Sequence, residues 1–443
     1  MRVPVIGART LRIWMSRFSG VFTKTIAMSP SLSPSRQRLW LTLAAALLGW
    51  LFDGLEMGIF PLVARPALQQ MQAAAGIAGE QFVQGWMGKI TALFLLGAAA
   101  GGLSFGWLGD RVGRVRAMTW SILTYSLFSG LAWFAQTPEQ LGALRFLGAL
   151  GMGGEWALGV ALVMEVWPEN RRPWLAAAIG AAANLGYAAI AALAMTKPIT
   201  QDSWRWVMLV GAVPALLTLL IRLFVPESEK WQHAVEHYRP KPVREIFSAQ
   251  LRPRTLLAIG CASVALIGTW GVVQWIPLWA DAMTHGTQPL VKAQAQFWQA
   301  IGATIGSFVA PLLGLRWGRR PVYFSLCAAS LGMCAVLFRG FTEFSGAFLF
   351  AVCLTGICTA SFYGWLPQYL PELFPTRVRA TAQGLAFNFG RILAAVGVWQ
   401  MGSLMHFFGG SYPRAGATIS LIYLLGMALI LQAPETRGRP LPD

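Results

Sequence analysis

A chain of 443 residues that is 56% hydrophobic and 12% charged, with a mean hydropathy of +0.53, has too little polar surface to clothe soluble domains of that size. Twenty Trp, 26 Phe and 47 Gly fit a bundle of membrane-spanning helices better than the alternating pattern of spanning strands. The net charge of +17 is scattered in short clusters between apolar stretches, which excludes a basic nucleic-acid-binding domain.

In chain order, residues 1–38 hold seven Lys/Arg and no acid. They contain no apolar run long enough for a signal-peptide core, so they read as a basic cytoplasmic tail, with Met1 and Met28 both open as the starting residue. Stretches of about 20 mostly apolar residues follow near 39–64, 83–109, 115–135, 139–165, 173–196 and 205–225. A second set lies near 255–280, 293–315, 321–340, 343–370, 380–406 and 415–432. The expected organisation is an N-terminal six-helix bundle over 39–226, a polar cytoplasmic linker over 227–254, a C-terminal six-helix bundle over 255–432 and a cytoplasmic tail over 433–443.

The loops on one side hold only Arg65, Lys197, Arg205, Lys292, Arg339 and Arg414, whereas most other Lys and Arg gather on the opposite side. By the positive-inside rule both termini are cytoplasmic, and a plasma (inner) membrane location is expected. Five Cys lie in apolar segments without ligand spacing, and four His are dispersed, so neither a metal site, a cofactor nor an enzymatic triad is expected. No GxxxxGK[ST] loop occurs, which disfavours direct ATP drive.

The two halves echo one another. Glu165-Val-Trp-Pro-Glu-Asn-Arg-Arg172 matches Glu372-Leu-Phe-Pro-Thr-Arg-Val-Arg379, Gly113-Arg114 matches Gly318-Arg319, and Pro226-Glu227 matches Pro434-Glu435. All three recur at one spacing, on the order of 200 residues, which holds six spans and returns each motif to the same membrane face. Such parallel repeats place a solute site near the midplane between the halves.

The loop Gly106-Trp-Leu-Gly109-Asp110-Arg111-Val-Gly113-Arg114 resembles the signature of the major facilitator superfamily. Its second copy has Leu315 in place of Asp110, so a latch there is expected to be weaker or absent. Arg145 to Trp156, with the exit Glu165 to Arg172, is similar to the metabolite:proton symporters, which include sialic-acid, shikimate and aromatic-acid carriers. Asp53-Gly-Leu-Glu56 is similar to the paired-acid motif of the aromatic-acid symporters, with Glu as its second acid. The resemblance implies an all-α fold of twelve transmembrane helices in two pseudo-symmetric bundles and a secondary active transporter. The expected partners are a small solute, protons and the lipid bilayer, with a monomeric protein.

Charges within the spans each need a reason, because one ionisable group at the bilayer centre costs about 2.5 to 3.5 kcal/mol. Asp53 and Glu56 sit three apart on one helix, with Asp53 roughly 21 Å from Leu39 along it. Two such carboxylates cannot both ionise cheaply, which makes them, with Glu155, candidates for carrying a coupled proton. Arg391 is the candidate for a bidentate contact with a solute carboxylate, the alternative being an ion pair with one of these acids. Arg145, Asn388, Trp156, Gln274 and Tyr363 are further candidates for the solute path. Arg145 has the alternative role of neutralising a first-span acid. Gly106, Gly109 and Gly113 are expected to let the signature turn close tightly, and Asp110, Arg111, Arg114, Glu165, Arg172, Arg319, Glu372 and Arg379 to gate access through cytoplasmic salt bridges between the halves. The leading expectation is proton-coupled symport of an organic carboxylate. A sugar or polyol porter, or a proton-linked exporter of an amphipathic compound, is the alternative.

Overall fold

The computed structural model describes residues 36–76, 80–167, 171–216, 242–284, 287–288, 290–439 and 442. The N-terminal tail up to residue 35 and the first part of the expected linker lie outside them.

Among the described residues the chain is helix and turn. Inside a bilayer only segments that pair every backbone N–H and C=O internally are stable, so long apolar runs become long helices. The first half contains α1 (Arg36–Ala74), α2 (Glu80–Val112), α3 (Arg114–Leu131), α4 (Pro138–Val166), α5 (Arg172–Thr196) and α6 (Arg205–Val210). A short α7 (Pro242–Ile246) precedes the second half, which opens with α8 (Arg252–Gly271), α9 (Ile276–Met283), α10 (Val291–Trp317) and α11 (Arg319–Gly340). It closes with α12 (Gly346–Ala360), α13 (Phe362–Leu373), α14 (Thr376–Trp399), α15 (Met401–Phe407), α16 (Tyr412–Ile419) and α17 (Ile422–Ile430).

Four later spans are each interrupted once: α8/α9 at a 3-10 turn over Val273–Trp275, α12/α13 at Ser361, α14/α15 at Gln400 and α16/α17 at Ser420–Leu421. At the second break the Ser361 hydroxyl contacts the Gly306 and Ile357 carbonyls at 2.9 and 2.7 Å, tying the interruption to α10. Eight stretches, from Trp40–Ala74 to Tyr412–Ile430, are each long and apolar enough to cross a membrane. The helices α3, α4 and α14 are three further long ones, and α4 and α14 bear Arg145, Glu155 and Arg391.

Close approach through small residues holds each half together, since lipid supplies no hydrophobic drive for helix pairing. Gly97 and Gly101 on α2 face the Phe146 and Leu150 carbonyls of α4, and Gly153 of α4 faces Ala98 O in return. Gly54 of α1 and Gly186 of α5 meet in the same way, against Ala183 O and Leu51 O. The halves join where α5 packs on α10 and α2 on α14.

The repeat is visible in backbone geometry. Gly113 between α2 and α3 has φ 111°, and Gly318 between α10 and α11 has φ 97°, a region that L side chains avoid. Gly106 and Gly109 correct the expectation that the signature glycines shape the turn: both lie within α2, and only Gly113 occupies it. In the second half Glu435 accepts the backbone N–H groups of Arg319 and Arg320 at 2.9 and 3.0 Å and so caps α11. Burial alone would raise its carboxyl, but the N–H groups of Arg319, Arg320, Arg437 and Thr436 hold it below the ordinary value.

Candidate functional site

Both halves contribute to one central cavity of about 130 Å³. From the first half come Trp50, Asp53 and Met57 on α1, Met152 on α4, and Asn184 and Tyr187 on α5. The second half adds Thr269 and Trp270 on α8, Gln274 in the turn after it, Gln299 on α10, Thr359 on α12, Tyr363 on α13, and Phe387 and Arg391 on α14. The lining is mostly apolar, with five aromatic side chains and a smaller set of polar and charged groups among them, which is the character of small-molecule sites.

Arg391 lines this space while being only 7% exposed. Its guanidinium donates to Asn388 Oδ1 at 3.1 Å and to Ala98 O of α2 at 3.4 Å, and it stacks on the Phe387 ring at 4.8 Å. Neither hydrogen-bond acceptor is a carboxylate, so the cation is held in place without being neutralised by them. Asp53 faces the cavity, and Glu155 lies behind it against Gly49, fully buried. The two carboxyls are neighbours, yet among the described residues Asp53 Oδ1 and both Glu155 oxygens lack a hydrogen-bond partner.

Glu56 is placed differently. Arg145 on α4 ion-pairs with it, and the Ser129 hydroxyl donates to the same carboxylate oxygen at 2.6 Å. Arg145 also lies near the faces of Phe60 and Phe94. Of the two roles open to Arg145 from the sequence, the geometry is that of neutralising a first-span acid. It borders a small side pocket of about 20 Å³ that shares Met57, Trp270 and Gln274 with the central cavity.

Of the further candidates for the solute path, Gln274 and Tyr363 line the cavity. Asn388 instead packs against Gly102 of α2 at the junction between halves. The side chains of Trp156, Asp110, Glu165 and Arg172 lie outside the described residues. Among the motif residues, Arg111 sits over Trp107 at 4.0 Å, and Arg114 is buried. Arg319 makes a bidentate pair with Glu372 at 2.7 and 3.0 Å, and Arg379 donates to Pro371 O, Phe374 O and Pro442 O. These contacts lie within the second half, not between halves as expected, because the chain past Pro434 folds back over the ends of α11 and α13. Tyr369 donates to Pro434 O at 2.8 Å on that strap.

Sequence reasoning missed Trp50, Thr269, Trp270, Gln299 and Phe387 in the cavity wall. It also missed Asp281 on α9, which faces Arg65 of α1 and Lys292 of α10 at 3.9 and 4.0 Å. Asp281 is 5% exposed, and a buried acid near the end of an apolar span was the available signal.

The model of the Major Facilitator Superfamily matches residues 39–398. The chain belongs to this superfamily. As a member it is a multi-pass membrane transporter of small solutes and not an enzyme. It is 30% identical over 414 residues to a probable 4-methylmuconolactone transporter of Cupriavidus pinatubonensis, covering 92% of each chain. It is 27% identical over 406 residues to the sialic acid transporter NanX of Escherichia coli, covering 90% of each. Its fold is similar to a partially occluded, inward-open structure of the xylose transporter XylE from Escherichia coli, with TM-score 0.70, 16% identity and coverage of 91% of this chain and 99% of that one. The major facilitator fold thus places the cavity where its two halves meet.

Proposed function

We propose that this chain is a proton-coupled symporter that carries a small organic carboxylate, with Arg391 as the carboxylate's partner and Asp53 and Glu155 handling the proton. The observation that supports this most is a buried guanidinium lining a cavity shared by both halves, with the Asp53 carboxyl in the same lining and that of Glu155 beside Asp53. A guanidinium fork matches a carboxylate in a bidentate geometry, and in a water-poor cavity that contact is strong. The named cargoes of the two curated relatives are compatible with an organic-acid ligand.

The coupling follows from electrostatics. Asp53 and Glu155, side by side and buried, disfavour carrying two negative charges, so entry of an anion beside Asp53 is helped by a proton on the pair. Solute and proton then cross together as the halves rock about the cavity. The bundles over 39–226 and 255–432 are the proposed rocking bodies. The signature residues Asp110, Arg111 and Arg114 are the proposed cytoplasmic gate. The Lys/Arg asymmetry supports cytoplasmic termini and a plasma-membrane location.

Uptake of labelled sialic, shikimic and aromatic acids into proteoliposomes, with and without an inward proton gradient, tests this reading. The expected outcome is saturable uptake of at least one acid, stimulated by the gradient and reduced at least about a hundredfold by Arg391→Ala, as for loss of a charge-assisted contact. Uptake that ignores both the gradient and Arg391→Ala would overturn it.

A further inference from the structure

The polar side chains around the central cavity are mostly engaged with the protein itself. Tyr187 donates to Gln274 Oε1 at 3.2 Å, Tyr363 to Thr269 Oγ1 at 2.8 Å, and Thr269 to Ala265 O at 3.0 Å. Thr359 donates to Thr355 O at 2.8 Å, and Asn184 Nδ2 donates to Gly180 O at 3.0 Å and Ser307 Oγ at 3.1 Å.

Among the uncharged acceptors of the lining, Gln299 is different. It lines the cavity from α10, is 7% exposed, and its Oε1 is buried without a hydrogen-bond partner among the described residues. A buried amide oxygen in an apolar wall is costly when unpaired, and the cost is relieved by a donor that comes from outside the protein. Rotation of the amide about its terminal torsion, which is broad, turns the oxygen toward the cavity, where a ligand can bring the donor. The hydroxyls of Thr359, Thr269 and Tyr363 already donate elsewhere in the wall, so they do not take this role.

We infer that Gln299 is a specificity-determining residue that accepts a hydrogen bond from a hydroxyl of the transported acid, so that hydroxylated carboxylates are favoured over the same acids lacking the hydroxyl. This rests on the reading of Arg391 as the partner of the carboxylate. The faces of Trp50, Trp270 and Phe387 add contact to a flat ring held between these two polar anchors. A site built to bond a hydroxyl rejects the analogue that lacks it, because its own polar group is then stranded.

The test is binding to the purified full-length transporter, followed by tryptophan fluorescence. The probes are benzoate with 3-hydroxybenzoate and 4-hydroxybenzoate, and cyclohex-1-ene-1-carboxylate with shikimate. The wild type is expected to bind at least one hydroxylated acid about tenfold more tightly than its parent. Gln299→Met, similar in volume but without the acceptor, brings that ratio to near one by weakening the hydroxylated acid. Gln299→Leu serves as a second variant, and monodispersity on gel filtration shows that each is folded. A ratio that survives in a folded variant, or a wild type without preference in either set, overturns the role of Gln299 and leaves that of Arg391 standing. If no probe binds the wild type, or if Arg391→Gln binds them all as well as the wild type does, the carboxylate reading falls and this inference falls with it.

Discussion

Glu56 and Arg145 show how much one neighbour changes the meaning of a buried charge. The carboxylate is 1% exposed and the guanidinium 2%, and they pair with each other and with Ser129. Removing one partner leaves the other charge stranded in a low-dielectric interior, a loss of about 3 to 5 kcal/mol, whereas removing both leaves none. Glu56→Gln is therefore expected to lower the melting temperature of the purified protein markedly, and the double variant Glu56→Gln with Arg145→Met to recover much of that loss. Equal destabilisation by the single and double changes would show that the pair is not what holds this region. The sequence revealed that Asp53, Glu56, Glu155 and Arg391 needed reasons, since charge in an apolar span is expensive. It did not reveal which reason each has. Residues three apart on a helix point about 60° away from each other, and that suffices to turn Asp53 toward the cavity and Glu56 toward α3 and α4. Gln299 gave still less signal, because Gln294, Gln296 and Gln299 look alike along α10; Gln296 and Gln299 both have an unpartnered side-chain oxygen, and only the fold shows that Gln299 is the one that lines the cavity.

At the scale of elements, glycine decides how closely helices pack, and two glycines of α1 separate packing from chemistry. A methyl group added at Gly54 would run into the backbone carbonyl of Ala183 on α5, which moves only if the helices part. At Gly49 the obstacle is instead Oε1 of Glu155, the far end of a flexible side chain. Gly54→Ala is thus expected to cost about 1 to 3 kcal/mol through overpacking, read as a fall in melting temperature and folded yield. Gly49→Ala is expected to remain folded but to displace Glu155 from Asp53 and weaken gradient-driven uptake. If Gly49→Ala destabilised as much as Gly54→Ala, the contact with Glu155 would be rigid packing and not a movable carboxyl. The existence of the spans was legible in the sequence from their length and hydropathy. Their breaks at Val273–Trp275 and Ser361 were not, because tertiary contacts such as Ser361 to the Gly306 carbonyl set where the helices interrupt.

For the whole molecule, the repeat at Gly113/Gly318 and Glu165/Glu372 made the two-bundle architecture readable, since equivalent turns demand equivalent residues. Which contacts close one face of the bundle was not readable, because they join residues far apart in sequence. Asp281 of α9 lies between Arg65 of α1 and Lys292 of α10, so one buried carboxylate faces a cation from each half. Beside it, Gln296 Nε2 donates to Gly58 O at 3.1 Å, and Tyr187 reaches Gln274, both across the same junction. If the halves separate on this face, all of these contacts break together. Asp281→Asn removes the shared anion and leaves Arg65 and Lys292 confronting one another, so attraction across the junction becomes repulsion. A change of about 1 kcal/mol shifts the ratio of the two states by roughly fivefold. The variant is expected to raise the rate at which a membrane-impermeant maleimide, applied to the face bearing Arg65, labels a cysteine placed at Gln274 in the otherwise unchanged protein. The five native cysteines are mostly buried and serve as the background measured without that cysteine. An unchanged labelling rate would mean that the helix contacts of α1 and α5 with α10 alone hold this face shut, and that the ions merely decorate it.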